Sequence, residues 1–363
     1  MTGENEYMEE ALSLAERGGG YVNPNPLVGA VVIKNDRIVG RGYHRKFGEA
    51  HAEVNAISEA GDEARDAELY VSLEPCIHHG KTPPCVDLIL ERGIKKVYVA
   101  SLDPNPCVNG KGVEKLRSEG VEVRVGMMDE KNRDLNEIYF KYARTGLPFI
   151  QLKLAMSMDG KIATRSGDSK WISGVESRRE VHKMRSRFSS ILVGINTVVS
   201  DNPKLTVRRV EGPQPKRIIL DPKGRIPESS NVLCDGMSET VVVTGEEVSG
   251  EEKFDRDGVC HWRFPLKDGE IPLSSLVGKL GKENLDSLLV EGGGEVAWSF
   301  VQDDLIDKFT FFYSPKLIGG KDAVTALGGS GYETVDGSLK LMDLSFRKTG
   351  EDLLFQAYPE KYK

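Results

Sequence analysis

The sequence has no surplus of basic residues, no apolar run long enough to cross a membrane, no fixed-period repeat and no low-complexity tract. With 49 Lys and Arg against 56 Asp and Glu, its formal net charge is −7. That balance lacks the cationic surface on which non-specific nucleic-acid binding depends, yet it leaves room for a local basic pocket that takes a phosphorylated small molecule. Five cysteines make an odd set and a poor disulfide framework. The opening MTGENEYMEEALSLAERGGG has no cationic segment leading into an apolar one, so it does not read as a signal peptide. Met8, Leu12 and Ala15 instead share one face of a short helix. A soluble cytoplasmic protein without a membrane or nucleic-acid partner is the expectation.

What is present points to two α/β domains. A chain of 363 residues exceeds one ordinary core. LVGAVVIKNDRIVGRGYH predicts a β-hairpin turning at Asn35-Asp36. HAEVNAISEA predicts a helix, AELYVSLEP a strand, CVDLILERG a helix, KKVYVASLDP a strand, VEKLRSEG a helix and VEVRVG a strand. Such alternation implies a largely parallel sheet. One helical stretch, EKNRDLNEIYFKYARTG, closes this part, and Gly146-Leu147-Pro148 punctuates a boundary. The expected domains are therefore residues 1–146 and 147–363. The second restarts with strand FIQLKLAMS, helix SRREVHKMRSR and strand SSILVGINTV. Strands KRIILD and ETVVVTG, helix PLSSLVGKLGK, strand LDSLLVEGG, a helix from about Glu295 and strands near DKFTFFYSPKLIG follow. GEEVSGEEKFDRDG reads as a solvated loop or weak helix.

The densest chemistry lies in HAEVNAI and LEPCIHHGKTPPC. Catalytic zinc usually takes three nitrogen or sulfur ligands and keeps a fourth position for water, and His51, Cys76 and Cys85 supply that set. His51 and Cys85 stand at predicted helix starts, and Cys76 follows a strand. A helix N-terminus favours a thiolate. Glu53, two residues after His51, is placed to take a proton from water and return it to a leaving amine. H-x-E followed by P-C-x-x-C is the signature of zinc deaminases. Here His51-Ala52-Glu53 and Pro75-Cys76 match, but eight residues separate the cysteines, and a loop bearing Lys81 and two histidines suits an anionic substrate. A nucleic-acid-editing deaminase and a non-enzymatic zinc module are the competing classes. The first would need a basic strand-binding surface, and the second would have no use for Glu53.

Taken together, HAEVNAI, LEPCIHHGKTPPC, PNPLVGAVV and DPNPCVNGKG resemble the deaminase half of the bifunctional riboflavin-biosynthesis deaminase–reductase family. The chain departs from that family at Ile77, where serine is usual. The resemblance implies a cytidine-deaminase-like three-layer α/β/α domain. It also implies that Asn25, His44, His78, Lys81, Asp103 and Asn105 surround a pyrimidine and its ribose phosphate. For Asn25, Asp103 and Asn105, turn formation beside proline is an equal reading.

The second half carries LKLAMSMDGKIAT, GDSKWISG, ILVGINTVVSDNPKLTVR, LLVEGGG and SPKLIGG in that order. LLVEGGGEVAWSFV runs strand, glycines, helix, a junction where phosphate can approach backbone N–H groups, although it lacks the G-x-G-x-x-G fingerprint. In order, these segments resemble the family's reductase half, with its dihydrofolate-reductase-like α/β fold and NADPH. The resemblance implies that Ala155, Trp171, Thr197, Asp201 and the turn Gly293, Gly294, Glu295, Val296, Ala297, Trp298 and Ser299 contact the cofactor. Ser169, Arg185, Leu205, Arg208 and Glu291 would contact substrate. Arg185 and Arg208 can grip phosphate through forked donors, and Glu291 can hold ribose hydroxyls or an amine. Lys153 and Asp201 are candidates to polarise or protonate the reacting sugar, or else form strand-end ion pairs. Trp171 could equally be a core aromatic. Cys107, Cys234 and Cys260 have no partner spacing. The family further implies sequential deamination and reduction of one phosphorylated pyrimidine by a homo-oligomer.

Overall fold

The computed structural model describes residues 2–77 and 83–360. The chain divides into two compact units, Met1–Gly146 and Leu147–Lys363.

The first unit runs α1 (Thr2–Glu16), β1 (Gly29–Lys34), β2 (Arg37–Tyr43), α2 (Ala52–Ala60), β3 (Glu68–Leu73), α3 (Cys85–Glu91), β4 (Lys96–Ser101), α4 (Lys111–Ser118), β5 (Glu122–Val125), α5 (Asp129–Leu135) and α6 (Glu137–Thr145). Asn35 and Asp36 take φ values of 50° and 57°, the left-handed pair that a tight hairpin requires. The sheet order is β2-β1-β3-β4-β5. Only β3–β4 and β4–β5 are parallel, because β1 pairs antiparallel with both β2 and β3. The largely parallel expectation thus fails on the hairpin side.

Period-2 alternation explains the layers. Ala30, Val32, Leu69, Val71, Val97 and Val99 pack with α2, α3 and α4. Their neighbours Val31, Ile33, Tyr70, Tyr98 and Ala100 pack with α1 on the opposite face. The helix expected over EKNRDLNEIYFKYARTG is broken at Asn136, which leaves helical geometry at φ −104° and ψ 22°. The buried Asn136 amide accepts from Leu27 N at 2.8 Å and donates to Leu27 O at 3.0 Å, fastening the loop that contains Asn25.

The second unit runs β6 (Phe149–Ser157), β7 (Lys161–Ala163), α7 (Val175–Arg187), β8 (Ser190–Gly194), α8 (Ile195–Asp201), β9 (Lys216–Leu220), α9 (Asn231–Cys234), β10 (Thr240–Gly245) and β11 (Val259–Phe264). It continues with α10 (Leu273–Lys282), β12 (Ser287–Val290), α11 (Gly294–Gln302), β13 (Lys308–Ser314), β14 (Val324–Thr325), β15 (Leu341–Thr349) and β16 (Asp352–Pro359). A nine-stranded sheet is ordered β11-β10-β9-β8-β12-β6-β13-β16-β15. It is parallel from β11 to β13, and the β15–β16 hairpin adds an antiparallel edge. SSILVGINTV is not one strand. It bends at Gly194 into α8, whose Ile195 and Val198 are buried against Ile191 and Val193. One face of the sheet packs on α10 and α11, and the other packs on α7, α8 and α9. Among the described residues no helix is long and apolar enough to cross a membrane.

Candidate active sites

In the first unit, strand β3 ends at Leu73 and delivers Cys76 three residues later, while Cys85 opens α3 and His51 caps α2. His51 Nδ1 lies 3.3 Å from Cys85 Sγ and 3.5 Å from Cys76 Sγ, and the three ligand atoms all fall within 4.8 Å of one another. Tetrahedral zinc with ordinary Zn–N and Zn–S bonds sets a nitrogen–sulfur edge of about 3.6 Å, so the trio fits that ion. The Cys85 backbone N–H donates to Cys76 Sγ at 3.4 Å. Cys76 is drawn well below the usual thiol range, first by the Cys85 thiol and then by His51, and both cysteines would bind zinc as thiolates. Glu53 is buried on the first turn of α2. Burial, reinforced by Cys76, pushes its carboxyl up to about 7, where one group can both accept and return a proton at neutral pH.

His51, Cys76 and Glu53 border a cavity of about 420 Å³ that is also lined by Asn25, His44, Asp103, Asn105, Tyr139 and Tyr142. His44 Nδ1 faces the Ala50 carbonyl at 3.1 Å and therefore carries the proton. Its Nε2 then accepts from Asn25 Nδ2 at 3.1 Å. Burial lowers the His44 pKa and favours this neutral form. Asp103 Oδ1 accepts from Asn105 N, and Asn105 Oδ1 accepts from Cys107 N. Both side chains thus shape the turn and line the cavity together. Ile77 packs partly buried against the core under α2, α3 and α4, which accounts for an apolar residue there. His78 and Lys81 lie outside the described residues.

Three organising residues carry no local sequence signal. The buried Glu74 carboxylate accepts four backbone N–H groups, from Asp103 and Gly110 on Oε2 and from Gly112 and Val113 on Oε1, at 2.8–3.2 Å. Tyr139 donates to Asp103, 36 residues away, and Asn136 anchors a loop 109 residues away. Only the fold brings these partners together.

In the second unit, a cavity of about 570 Å³ opens at the C-terminal ends of β6, β8 and β12, the customary ligand crevice of a parallel sheet. Lys153, Ala155, Ser169, Trp171, Arg185, Thr197, Asp201, Leu205, Arg208 and Glu291 all line it. Trp171 is 62% exposed with the Arg178 guanidinium 4.5 Å above its ring, so the core-aromatic alternative fails. Lys153 and Asp201 are indeed ion-paired, Lys153 Nζ with Glu291 at 3.7 Å and Asp201 with Lys170 at 3.6 Å.

Arg185 corrects the expectation of a phosphate grip. Its Nε and Nη2 clasp the two Glu291 oxygens at 2.8 and 2.9 Å, and its Nη1 donates to Thr206 O at 3.2 Å. The physical reason is Glu291 itself, a buried strand-end carboxylate that must be paired. Burial alone would raise Glu291, but Arg185 and Lys153 hold it down at about 2. Burial, with Arg185 opposing protonation, lowers Lys153. Arg178, His182 and Arg209, absent from the sequence-based set, share the same wall.

The glycine turn is narrower than expected. Gly292 lines the cavity. Gly293 caps α11, and a Cβ there would meet only Thr197 Oγ1, at 3.9 Å. Backbone N–H groups at such a helix start suit a pyrophosphate, and the junction fits a dinucleotide there. Ala297 and Trp298, however, turn their side chains into the core, because the inner face of α11 must cover the sheet. Glu295 accepts from Gly329 N and Ser299 donates back to Glu295 O, so these side chains are engaged within the protein.

Comparison with known proteins finds matches to both units. Residues 1–101 match the cytidine and deoxycytidylate deaminase zinc-binding region, and residues 148–355 match the RibD C-terminal domain. The riboflavin biosynthesis protein RibD of Aquifex aeolicus is 45% identical, over 97% of each chain. The structure of Acinetobacter baumannii RibD aligns with a TM-score of 0.89 at 35% identity, covering 99% of both chains. A Thermotoga maritima diaminohydroxyphosphoribosylaminopyrimidine deaminase / 5-amino-6-(5-phosphoribosylamino)uracil reductase aligns at 0.86 with 39% identity, again over 99% of both. With its zinc-binding deaminase domain and its reductase domain of the NADPH-using type, the chain belongs to the RibD family of bifunctional riboflavin-biosynthesis deaminase–reductases.

Proposed function

We propose that residues 1–146 deaminate 2,5-diamino-6-(5-phosphoribosylamino)pyrimidin-4-one. Residues 147–363 then reduce its ribosyl group, giving 5-amino-6-(5-phosphoribitylamino)uracil. The observation that carries the reading is the His51–Cys76–Cys85 trio, two of whose members, His51 and Cys76, border the same cavity as the buried Glu53. Zinc held by that trio supplies acidification of water towards neutrality. Glu53 takes the proton from the attacking water and passes it to the departing amine. Oxygen thereby replaces the amino group and ammonia leaves. Asn25, neutral His44, Asp103 and Asn105 orient the ring and sugar.

In the second unit NADPH supplies hydride to the ribosyl carbon. Lys153 delivers a proton to the sugar oxygen released as the ring opens, with Glu291 fixing its Nζ. Arg208, with Arg178 and Arg209 on the same wall, offers the phosphate its cationic contacts, while Arg185 keeps Glu291 in register. The reading extends to a cytoplasmic homo-oligomer, supported by the family and by the absence of paired cysteines among the described residues.

The test is ammonia release from the ribotide by zinc-loaded protein before and after NADPH is added. Release without NADPH, followed by NADPH consumption only once deaminated product exists, supports both activities and their order. No release from folded, metal-replete protein would sink the substrate assignment.

A further inference from the structure

Resting on the deaminase reading above, we propose that Tyr139 is a positioning residue that selects substrate through Asp103. The deaminase zinc-binding match ends at residue 101, and one wall of the cavity, formed by Asp103, Asn105 and Val108 with Tyr139, Tyr142 and Ala143 of α6, lies beyond it. Part of the substrate cavity therefore lies outside the region common to zinc deaminases.

Two side chains hold that wall from different elements. Tyr139 Oη sits between both Asp103 oxygens, at 2.9 Å from Oδ1 and 3.1 Å from Oδ2. Glu74 holds the backbone of the same turn through Asp103 N at 3.2 Å and Gly110 N at 2.8 Å. Burial first, and then the Asp103 charge, raises the Tyr139 hydroxyl above its ordinary range, so it remains a donor at every working pH. A carboxylate fixed in this way recognises hydrogen-bond donors, the exocyclic amino or sugar hydroxyl groups of the substrate, and repels a phosphate. Tyr139 has no proton to contribute to the chemistry. Its effect is to fix the direction in which Asp103 points.

Y139F keeps the ring and removes only the hydroxyl. A lost hydrogen bond to a charged group corresponds to a roughly 10- to 100-fold effect. Steady-state ammonia release should show KM raised by about that factor, with kcat within about twofold of wild type. Zinc content and reductase turnover on the deaminated ribotide should be unchanged. Because Tyr139 acts through Asp103, D103N/Y139F should raise KM no further than D103N alone. E74Q places an amide NH2 where two backbone donors converge and should raise KM in the same direction. A fall in kcat at unchanged KM, identical kinetics for Y139F and wild type, or additive effects in the double variant would each overturn the proposal. Failure of the wild-type enzyme itself to release ammonia would overturn the deaminase reading, and this inference with it.

Discussion

Gly42 offers a severe test of how the metal site is built, since it lies in β2 and in neither zinc motif. A Cβ there would fall 2.2 Å from Ala52 O, 2.4 Å from Ala56 N and 2.8 Å from Asn55 Cβ. Those atoms belong to the start of α2 and cannot rotate aside. Reaching an ordinary 3.4 Å contact with the carbonyl requires α2 to withdraw by about 1.2 Å, whereas metal–ligand distances tolerate about 0.2 Å. His51 caps α2 and Glu53 sits on its first turn, so both move with it. G42A should therefore cost about 1–3 kcal/mol in overpacking. It should also weaken zinc retention against a competing chelator by about 10- to 100-fold, the scale of disturbed ligand support. Ammonia release should fall in parallel, with reductase turnover as the internal control for folding. Wild-type zinc retention in G42A would refute the claim that the glycine contact seats α2.

Other perturbations follow from the same geometry. E53Q should lower ammonia release by about 10²- to 10⁴-fold while zinc content holds, because Glu53 is outside the ligand trio; loss of zinc would contradict its assigned place. His182, buried and flanked by Arg185 and Arg208, is held down at about 4 against an ordinary 6.5. The unfolded chain binds that proton first, so stability should decline as pH falls from about 6.5 to about 4 and level off below. H182Q should flatten that slope in urea midpoints measured across the range, and parallel slopes would argue against it. Gly278 lies within α10 with nothing near the position of a Cβ. G278A should stabilise the second unit by about 0.5–1 kcal/mol through helix propensity, visible as a higher melting temperature, and a lower one would indicate an overlooked contact.

The zinc trio and Glu53 were legible in the sequence because each stands at the start or end of a local element, where residue type and spacing carry the message. The β1–β2 hairpin was legible for the same reason, since Asn35-Asp36 tolerates the left-handed turn. The α8 segment misled because a short apolar run has no period of its own, and only packing against Ile191 and Val193 decides for helix. β11 escaped notice because, of its residues, only Phe264 is buried. Arg185 read as a phosphate ligand because a sequence shows an arginine but not the buried Glu291 that engages it. Glu74, Asn136 and Tyr139 were invisible for a related reason, as their partners are 29 to 109 residues away.

The Asn136 break has a practical consequence for redesign. Its amide fixes the loop bearing Asn25, and α6, which begins at the next residue, carries Tyr139 onto Asp103. Two sides of the substrate cavity thus hang from one peg. On the proposed reading, a grafted zinc motif would bring the metal and its proton carrier into a new scaffold but leave the choice of base behind. Retargeting this enzyme to another pyrimidine would begin some sixty residues downstream of Cys76, at the junction of α5 and α6.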